Sequence, residues 1–342
     1  MRLGMFILRR IFHSIFVLIG LSILIFIIAR IVPGDPARMA LGPRAPQEVV
    51  DRLRQEMYLD KSLPEQYYYW IKGVLVGDFG RSLFTNQPVL NDVKEYLPAT
   101  IELAITATII AVFFSILLGT LAARHRDRWL DTLIRLLAYL GIAIPPFVVA
   151  VLFVLLFGYT IPILPVFGRF SAGIPAPYHI TGMLALDSLL SGNFIALGDA
   201  LKHLILPALA LSLGGMFQDA RITRASMVDN INKDFLAAER GYGIPERTIM
   251  FKYLLKPSLI PTVSVMGMEF GTVVANAFLV ELIFNWPGLS RYGINAMLTK
   301  DLNAISAVIL IIGFIFIVMN IIVDMLVSFL DPRIRLSETK GT

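Results

Sequence analysis

Cysteine is missing from all 342 residues, which excludes disulfides, thiolate metal ligands and thiol nucleophiles. Charge is scarce: Asp, Glu, Lys and Arg make up 16% of the chain against 56% hydrophobic residues, and the mean hydropathy is +0.73. A soluble globule is thereby excluded, because no core of this size hides uncharged runs as long as 302–323 and still covers itself with polar surface. No glycine is followed directly by lysine, so the phosphate-cradling Gly-x-x-x-x-Gly-Lys-Ser/Thr loop is absent and the chain is not an ATPase. The four histidines, His13, His125, His179 and His203, stand apart without metal-ligand spacing, and neither His-Glu-x-x-His nor Gly-x-Ser-x-Gly occurs. The expectation is a non-catalytic chain that holds no cofactor or metal of its own.

What the sequence does contain is a series of long apolar runs. A helix needs about 20 residues to cross roughly 30 Å of hydrocarbon. Six spans are expected: 11–29, bounded by Arg9, Arg10 and Arg30; 103–123, entered through Glu102; 136–160, interrupted by Pro145-Pro146; 203–220, containing Pro207; 257–284, with Glu269 and Glu281 inside it; and 302–330. The stretch 183–197 is short and carries Asp187, Gly192 and Asn193, so it is expected as a helix in a loop outside the bilayer. The first run exceeds a secretory signal core and no small-residue cleavage site follows it, so it is expected to stay as an anchor.

Lysine and arginine in short loops set the orientation, since translocating them is disfavoured. Arg2, Arg9 and Arg10 precede the first span, Arg124, Arg126 and Arg128 follow the second, and seven basic residues lie within 221–256. Arg333, Arg335 and Lys340 follow the sixth, whereas the opposite loops hold only Arg169, Lys202, Arg291 and Lys300. A multi-pass protein of the cell membrane with both termini in the cytoplasm is expected, and the segment 31–98 is then external. The excess of 30 basic over 25 acidic residues is explained by these loops, and nucleic acid is set aside as a partner.

Two loops are larger than connections require. In the external one, 46–58 has helical spacing, with Val49, Val50, Leu53 and Met57 on one face, and Tyr67, Tyr68, Tyr69 and Trp70 form an aromatic cluster. That cluster suits either the lipid headgroups or the receipt of a substrate or carrier protein. The loop 221–256 reads as two short amphipathic helices, one presenting Val228, Ile231, Phe235 and Ala238, the other Ile249, Met250, Tyr253 and Leu254, parted by Gly243-Ile244-Pro245. Asp229, Asp234, Glu239 and Glu246 are mixed with its basic residues, which suits a groove on a partner protein better than anionic lipid.

Ionisable groups inside spans cost about 2.5 to 3.5 kcal/mol at the bilayer centre, so they face protein or water. Glu269 and Asn276, seven apart, share a face, with Glu281 beyond them. That face either lines a translocation route or makes an interhelical contact with a partner subunit. Asn320 and Asp324 are expected to make a structural hydrogen bond, and Gly267 and Gly271 mark close helix packing.

Taken in order along the chain, several short motifs resemble one family. They are Arg9-Arg10 with Pro33-Gly34-Asp35-Pro36, Gly77-Asp78-Phe79-Gly80-Arg81-Ser82 and Leu97-Pro98-Ala99-Thr100-Ile101-Glu102-Leu103 in the opening third. Leu204-Ile205-Leu206-Pro207-Ala208, Arg221-Ile222-Thr223-Arg224-Ala225-Ser226-Met227, Glu281-Leu282-Ile283-Phe284-Asn285-Trp286-Pro287-Gly288-Leu289 and Asp331-Pro332-Arg333-Ile334-Arg335 follow. The chain resembles the permease subunits of ATP-binding cassette importers, specifically the first of the two permeases of the dipeptide and oligopeptide type. Its loop 235–261 is similar to the one by which that superfamily docks on its ATPase, with Ala237-Ala238-Glu239 in place of a Glu-Ala-Ala type triplet and Gly243 as the turn. Glu239, Gly241 and Tyr242 depart from the residues usual there.

The resemblance implies an all-α integral membrane protein with the six-helix type I importer permease fold and an extracytoplasmic insert after the first helix. It divides the chain into 1–99 (first helix and insert), 100–331 (permease core) and 332–342 (cytoplasmic tail). Phe235, Ala237, Ala238, Glu239, Gly243, Ile244 and Pro245 are implied as the ATPase coupling residues, while Glu269, Asn276 and Glu281 are the candidates for the translocation path. The implied partners are a second homologous permease, two ATPase subunits that use ATP and Mg, an extracytoplasmic solute-binding protein and membrane lipid. Peptides are the favoured cargo, with oligosaccharides or nickel chelates as alternatives. An ion-coupled secondary transporter using Glu269 and Glu281 is the rival of another class, opposed by the docking loop and the lack of a visible inverted repeat.

Overall fold

The computed structural model describes residues 3–31, 35–42 and 44–330; Arg2, Pro33, Gly34, the Asp331-Pro332-Arg333-Ile334-Arg335 motif and the expected tail 332–342 lie outside the described residues. Every regular element among the described residues is helical, and β-pairing is limited to an isolated bridge between Arg81 and Pro88. Helix α1 (Leu3–Ile31) is followed by three short helices, α2 (Pro36–Leu41), α3 (Gln47–Glu56) and α4 (Leu63–Leu75). Helix α3 buries Val50, as its spacing predicts, and α4 carries the aromatic cluster. The cluster divides by face: Tyr67 bonds Ser22 on α1 at 2.8 Å and stacks edge-on against Phe26, whereas Tyr68 and Tyr69 are exposed.

Next come α5 (Val89–Arg124), α6 (Trp129–Ala143) and α7 (Pro146–Leu155), which ends in a wide turn, Leu156–Thr160. A single straight helix over 136–160 is therefore not what forms. α6 and the segment Pro146–Thr160 meet at 101°. The cause is local: a proline bars the preceding residue from helical geometry, and Ile144, ahead of Pro145-Pro146, is extended with φ −93° and ψ 118°.

Helix α8 (Leu184–Leu190) and α9 (Phe194–Asn230) share the stretch expected as one helix over 183–197. The chain breaks at Ser191-Gly192-Asn193, and the Asn193 side chain caps α9 by accepting the Ala196 amide at 3.0 Å. α9 is also far longer than 203–220. Its polar residues do not end it because several find partners: His203 bonds the Asp199 carbonyl at 2.9 Å and Arg224 pairs with Asp131 at 2.6 Å.

After α9 come α10 (Asp234–Gly241), α11 (Glu246–Thr248), a wide turn Ile249–Leu254, α12 (Leu255–Ile283), α13 (Leu289–Leu298) and α14 (Leu302–Leu330). Among the described residues four helices are by themselves long and apolar enough to cross a membrane, Leu8–Arg30, Val89–Arg124, Phe194–Asn230 and Leu302–Met325. Two bent pairs bring the number to six if each counts once, the α6–α7 pair and Glu246–Gly267 with Glu269–Ile283, which bends by 42°.

The core forms where α5 lies along α9, with α7 and α12 closing over it. Leu103 and Ala107 of α5 pack with Leu204, Leu206 and Leu211 of α9, Ala150 of α7, and Phe284 and Trp286 after α12. Small residues bring the backbones together: a Cβ on Gly119 of α5 would lie 2.7 Å from the Ala220 carbonyl of α9. The same holds for α12 and α14, where Cβ atoms on Gly267 and Gly271 would strike Val323 and Phe316. Asp324 reaches Arg10 of α1 at 3.2 Å, tying the last helix to the first.

Candidate functional site

Two regions carry all the candidate residues but Glu281. The first is a cavity of about 330 Å³ between the α6–α7 corner, α9 and α12. The proline pair creates one wall, since turning the chain there exposes Ile142 and Pro146 to the space. Gly214, Gly215 and Gln218 of α9 face them, and Glu269, Thr272 and Asn276 of α12 complete the lining. Glu269 and Asn276 are thus brought together, as their spacing requires. Glu269 also borders a smaller void of about 20 Å³, which it shares with Asp219, Ser212 and Thr108. Its carboxyl lies against that of Asp219, a residue that spacing arguments on α12 alone do not reveal.

Glu281 does not join this cavity. It is fully buried at the far end of α12, where Thr100 donates to Oε1 at 2.6 Å and the Arg291 amide donates to Oε2 at 2.9 Å. The reason is that the chain folds back after Phe284, bringing the start of α13 over the end of α12. Trp286 is buried there and donates its indole N–H to the Ala99 carbonyl at 3.0 Å. Two of the motifs quoted above, 97–103 and 281–289, therefore meet as one joint. Glu102 extends it, accepting from Arg169 and, at 2.6 Å, from the Ala185 amide.

The second region is the loop between α9 and α12. Its two arms are held by Leu236, fully buried among Met227, Ile249, Leu254 and Ala123. Phe235 and Ala238 do not share this buried face with Val228 and Ile231: both are exposed, because α10 starts after a break at residues 231–233 that resets its rotation. Ala237, Gly243 and Pro245 are likewise exposed, with Glu239 and Ile244 half-buried. Gly243 adopts φ +74°, in the left-handed region, and nothing stands within 4 Å of where its Cβ would be, so backbone conformation and not space calls for glycine. Across the turn Arg240 donates to Glu246 at 2.7 Å. Phe235, Tyr242 (84% exposed) and Phe251 leave this end of the molecule with uncovered aromatic surface.

At the opposite end, α3, α4 and the segment 77–86 enclose a space of about 420 Å³ lined by Arg30, Tyr58, Trp70, Arg81 and Asn303. Ser82 and the Leu83 amide anchor this segment on Asp301, donating to Oδ2 at 2.7 and 2.6 Å. Tyr292 donates to Asp92 at 2.8 Å, and burial, with the Asp92 carboxylate, pushes its phenol well above the usual tyrosine range. Among the described residues no group of three or more His, Asp or Glu is placed to hold a metal ion.

Residues 115–336 match the model of the family described as binding-protein-dependent transport system inner membrane component, and residues 3–104 match that of its N-terminal region. The chain is 36% identical over 326 residues to a probable D,D-dipeptide transport system permease protein, DdpB, of Escherichia coli (strain K12), covering 95% of this chain and 96% of that one. It is 36% identical over 327 residues to the dipeptide transport system permease protein DppB of Alkalihalophilus pseudofirmus, covering 96% and 98%. It is 32% identical over 330 residues to the glutathione transport system permease protein GsiC of Escherichia coli (strain K12), again 96% and 98%.

Proposed function

The chain belongs to the family of binding-protein-dependent transport system inner membrane components, and from that membership we propose that it is the permease subunit of an ATP-driven importer of short peptides. The supporting observation for the cargo is that relatives matched over nearly their whole length carry names of dipeptide, D,D-dipeptide and glutathione transport. In this reading the chain supplies half of the translocation pathway and performs no chemistry. A second, homologous permease supplies the other half, two cytoplasmic ATPase subunits consume ATP and Mg, and an extracytoplasmic solute-binding protein delivers the peptide.

The α6–α7 pair and the bent segment Glu246–Ile283 each count as one crossing, giving six spans with both termini in the cytoplasm. The segment 31–98 is then an extracytoplasmic insert belonging to the N-terminal part, 1–99, ahead of the permease core, 100–331. Basic residues at the α5–α6 and α9–α12 links support this orientation. The exposed surface of α10, with Phe235, Ala237, Ala238 and Glu239, seats in the ATPase, while Gly243, Ile244 and Pro245 fix the turn. Leu236 and the wide turn Ile249–Leu254 join that surface to α12, so closure of the ATPases displaces the helix that carries Glu269 and Asn276. Those two residues line the pathway, and Glu281 secures the joint above it.

The test is reconstitution of the whole complex in proteoliposomes with its binding protein. Peptide-stimulated ATP hydrolysis and peptide uptake are expected, and both are expected to vanish on Phe235→Asp with Gly243→Glu. Uptake that survives this double change would remove the coupling assignment, and a complex that accumulates no peptide would remove the function.

A further inference from the structure

Seven carboxylates are fully or nearly fully buried among the described residues: Asp92, Glu102, Asp131, Asp187, Asp219, Glu281 and Asp301. Six have donors. Asp92 takes Tyr292, Glu102 takes Arg169, Asp131 takes Arg224, Asp187 takes Thr181, Glu281 takes Thr100 and Asp301 takes Ser82. Asp219 is the exception, for both its oxygens are enclosed and no hydroxyl, amide or basic side chain donates to either; the polar group within reach is the carboxyl of Glu269, with which it can share a proton. The ionisable group set against it is another carboxyl, Glu269, and no Lys, Arg or His lines either of the two cavities that Glu269 borders.

An unpaired carboxylate in a low-dielectric interior is costly, and two side by side are costlier, unless a shared proton or a cation joins them; a pair that shares one proton still has a negative charge to offer a cation. The two carboxyls differ in access, for Asp219 lines only the smaller void. Asp219 lies behind, in the void of about 20 Å³, and Glu269 stands between it and the cavity of about 330 Å³. Gly215 permits this: a Cβ there would come within 2.6 Å of Glu269 Oε2, so any other residue would push the carboxyl away from α9 and from Asp219. The cavity is at the small end of the range for ligand sites, and beyond Glu269 its polar lining includes the amides of Gln218 and Asn276.

We propose that the Asp219–Glu269 carboxyl pair receives the primary ammonium terminus of a short peptide in transit, Glu269 contacting it and Asp219 acting from behind as a positioning residue. A protonated amine offers three donors, which suits carboxyl oxygens flanked by a side-chain amide carbonyl. A hard divalent cation such as calcium takes six or more oxygen ligands, more than the acidic groups here supply, and among the described residues no cluster of three acidic or imidazole groups forms. The inference rests on the peptide-importer reading and names the end of the peptide that the pathway recognises.

Because the chain has no cysteine, Thr272→Cys introduces its single thiol on the cavity wall. In the purified complete transporter, labelling of this chain by trimethylammonium-ethyl and by sulfonato-ethyl methanethiosulfonate is followed by mass spectrometry, each rate divided by that for a free thiol. The cationic reagent is expected to be favoured at least about tenfold, and Glu269→Gln or Asp219→Asn, checked for assembly by gel filtration, to remove most of that preference. Alanyl-alanine is expected to slow labelling, and N-acetyl-alanyl-alanine at the same concentration to leave it unchanged. A charge preference below twofold, a preference that persists in Glu269→Gln, equal protection by both dipeptides, or protection by neither would each overturn the proposal. Since labelling needs no turnover, peptide uptake by the same complex judges the importer reading separately.

Discussion

Thr100 of α5 donates its hydroxyl to Glu281 of α12 across 2.6 Å and accepts the Leu289 amide at 2.7 Å, so one side chain fastens three segments. Thr100→Val preserves the shape and deletes both bonds, leaving a buried carboxylate oxygen and a buried amide without partners. A loss of about 2 to 4 kcal/mol is expected, from roughly 1 to 3 for each orphaned group with partial relaxation. A lower midpoint of thermal unfolding in detergent, with the selectivity for free-amine peptides unchanged, is the outcome that distinguishes a joint from a cargo contact.

Phe235 and Leu236 are neighbours with opposite exposure, 42% against 0%. Leu236→Ala is expected to destabilise the loop by about 2 to 5 kcal/mol, as other buried leucines do. Phe235→Ala is expected to leave stability within about 0.5 kcal/mol while weakening copurification of the ATPases. Comparing the thermal midpoint with the ATPase yield separates the two effects; equal loss of stability in both variants would contradict the assigned faces.

Helices α12 and α14 touch through glycine. A Cβ on Gly271 would lie 1.8 Å from Phe316, and on Gly267 2.0 Å from Val323. Gly271→Leu should therefore force the helices apart at about 1 to 3 kcal/mol or more, and Phe316→Ala in the same chain is expected to restore part of the loss. A double-mutant cycle read from thermal midpoints measures that coupling, and simple additivity would refute the contact.

Asp187, outside the crossing segments, accepts the Thr181 hydroxyl at 2.6 Å and the amides of Ile180, Thr181 and Gly182. Burial works against its charged form, but the Thr181 side chain and those backbone donors outweigh it and hold the carboxyl below the usual aspartate range. A folded value below the unfolded one means the contribution is complete above about pH 4 and fades as the pH falls through the folded value. Amide exchange at 180–182, corrected for intrinsic rates, is expected to quicken in acid in the parent chain, whereas Asp187→Asn should be quick at every pH.

Much of the helical order was legible because lipid imposes it: uncharged runs bounded by Arg9 and Arg30, or by Glu102 and Arg124, have one interpretation. Proline alone does not decide where a helix ends. Pro145-Pro146 turns the chain through 101°, while Pro98, Pro207 and Pro261 sit inside helices that continue past them. Local pattern cannot separate these cases, since the neighbours that re-satisfy a freed carbonyl come from elsewhere in the chain. The candidate site was half visible. Spacing placed Glu269 with Asn276, but Asp219 lies fifty residues earlier and joins them only because α9 packs along α12. The same limitation grouped Glu281 with the cavity, when its partner Thr100 is 181 residues away.

The Arg10–Asp324 ion pair, together with Leu21 packed where a Cβ on Gly313 would intrude, sets the first and last helices side by side. In that sense α1 and α14 buckle the described helices into a closed belt. Splicing residue 324 to residue 10 through a short linker and opening the chain instead within 170–178 would give a circular permutant that retains every helix contact described above. By the same token, removing α1 would not trim an appendage; it would strip a flank from α14 and expose it to whatever lies beside it in the bilayer.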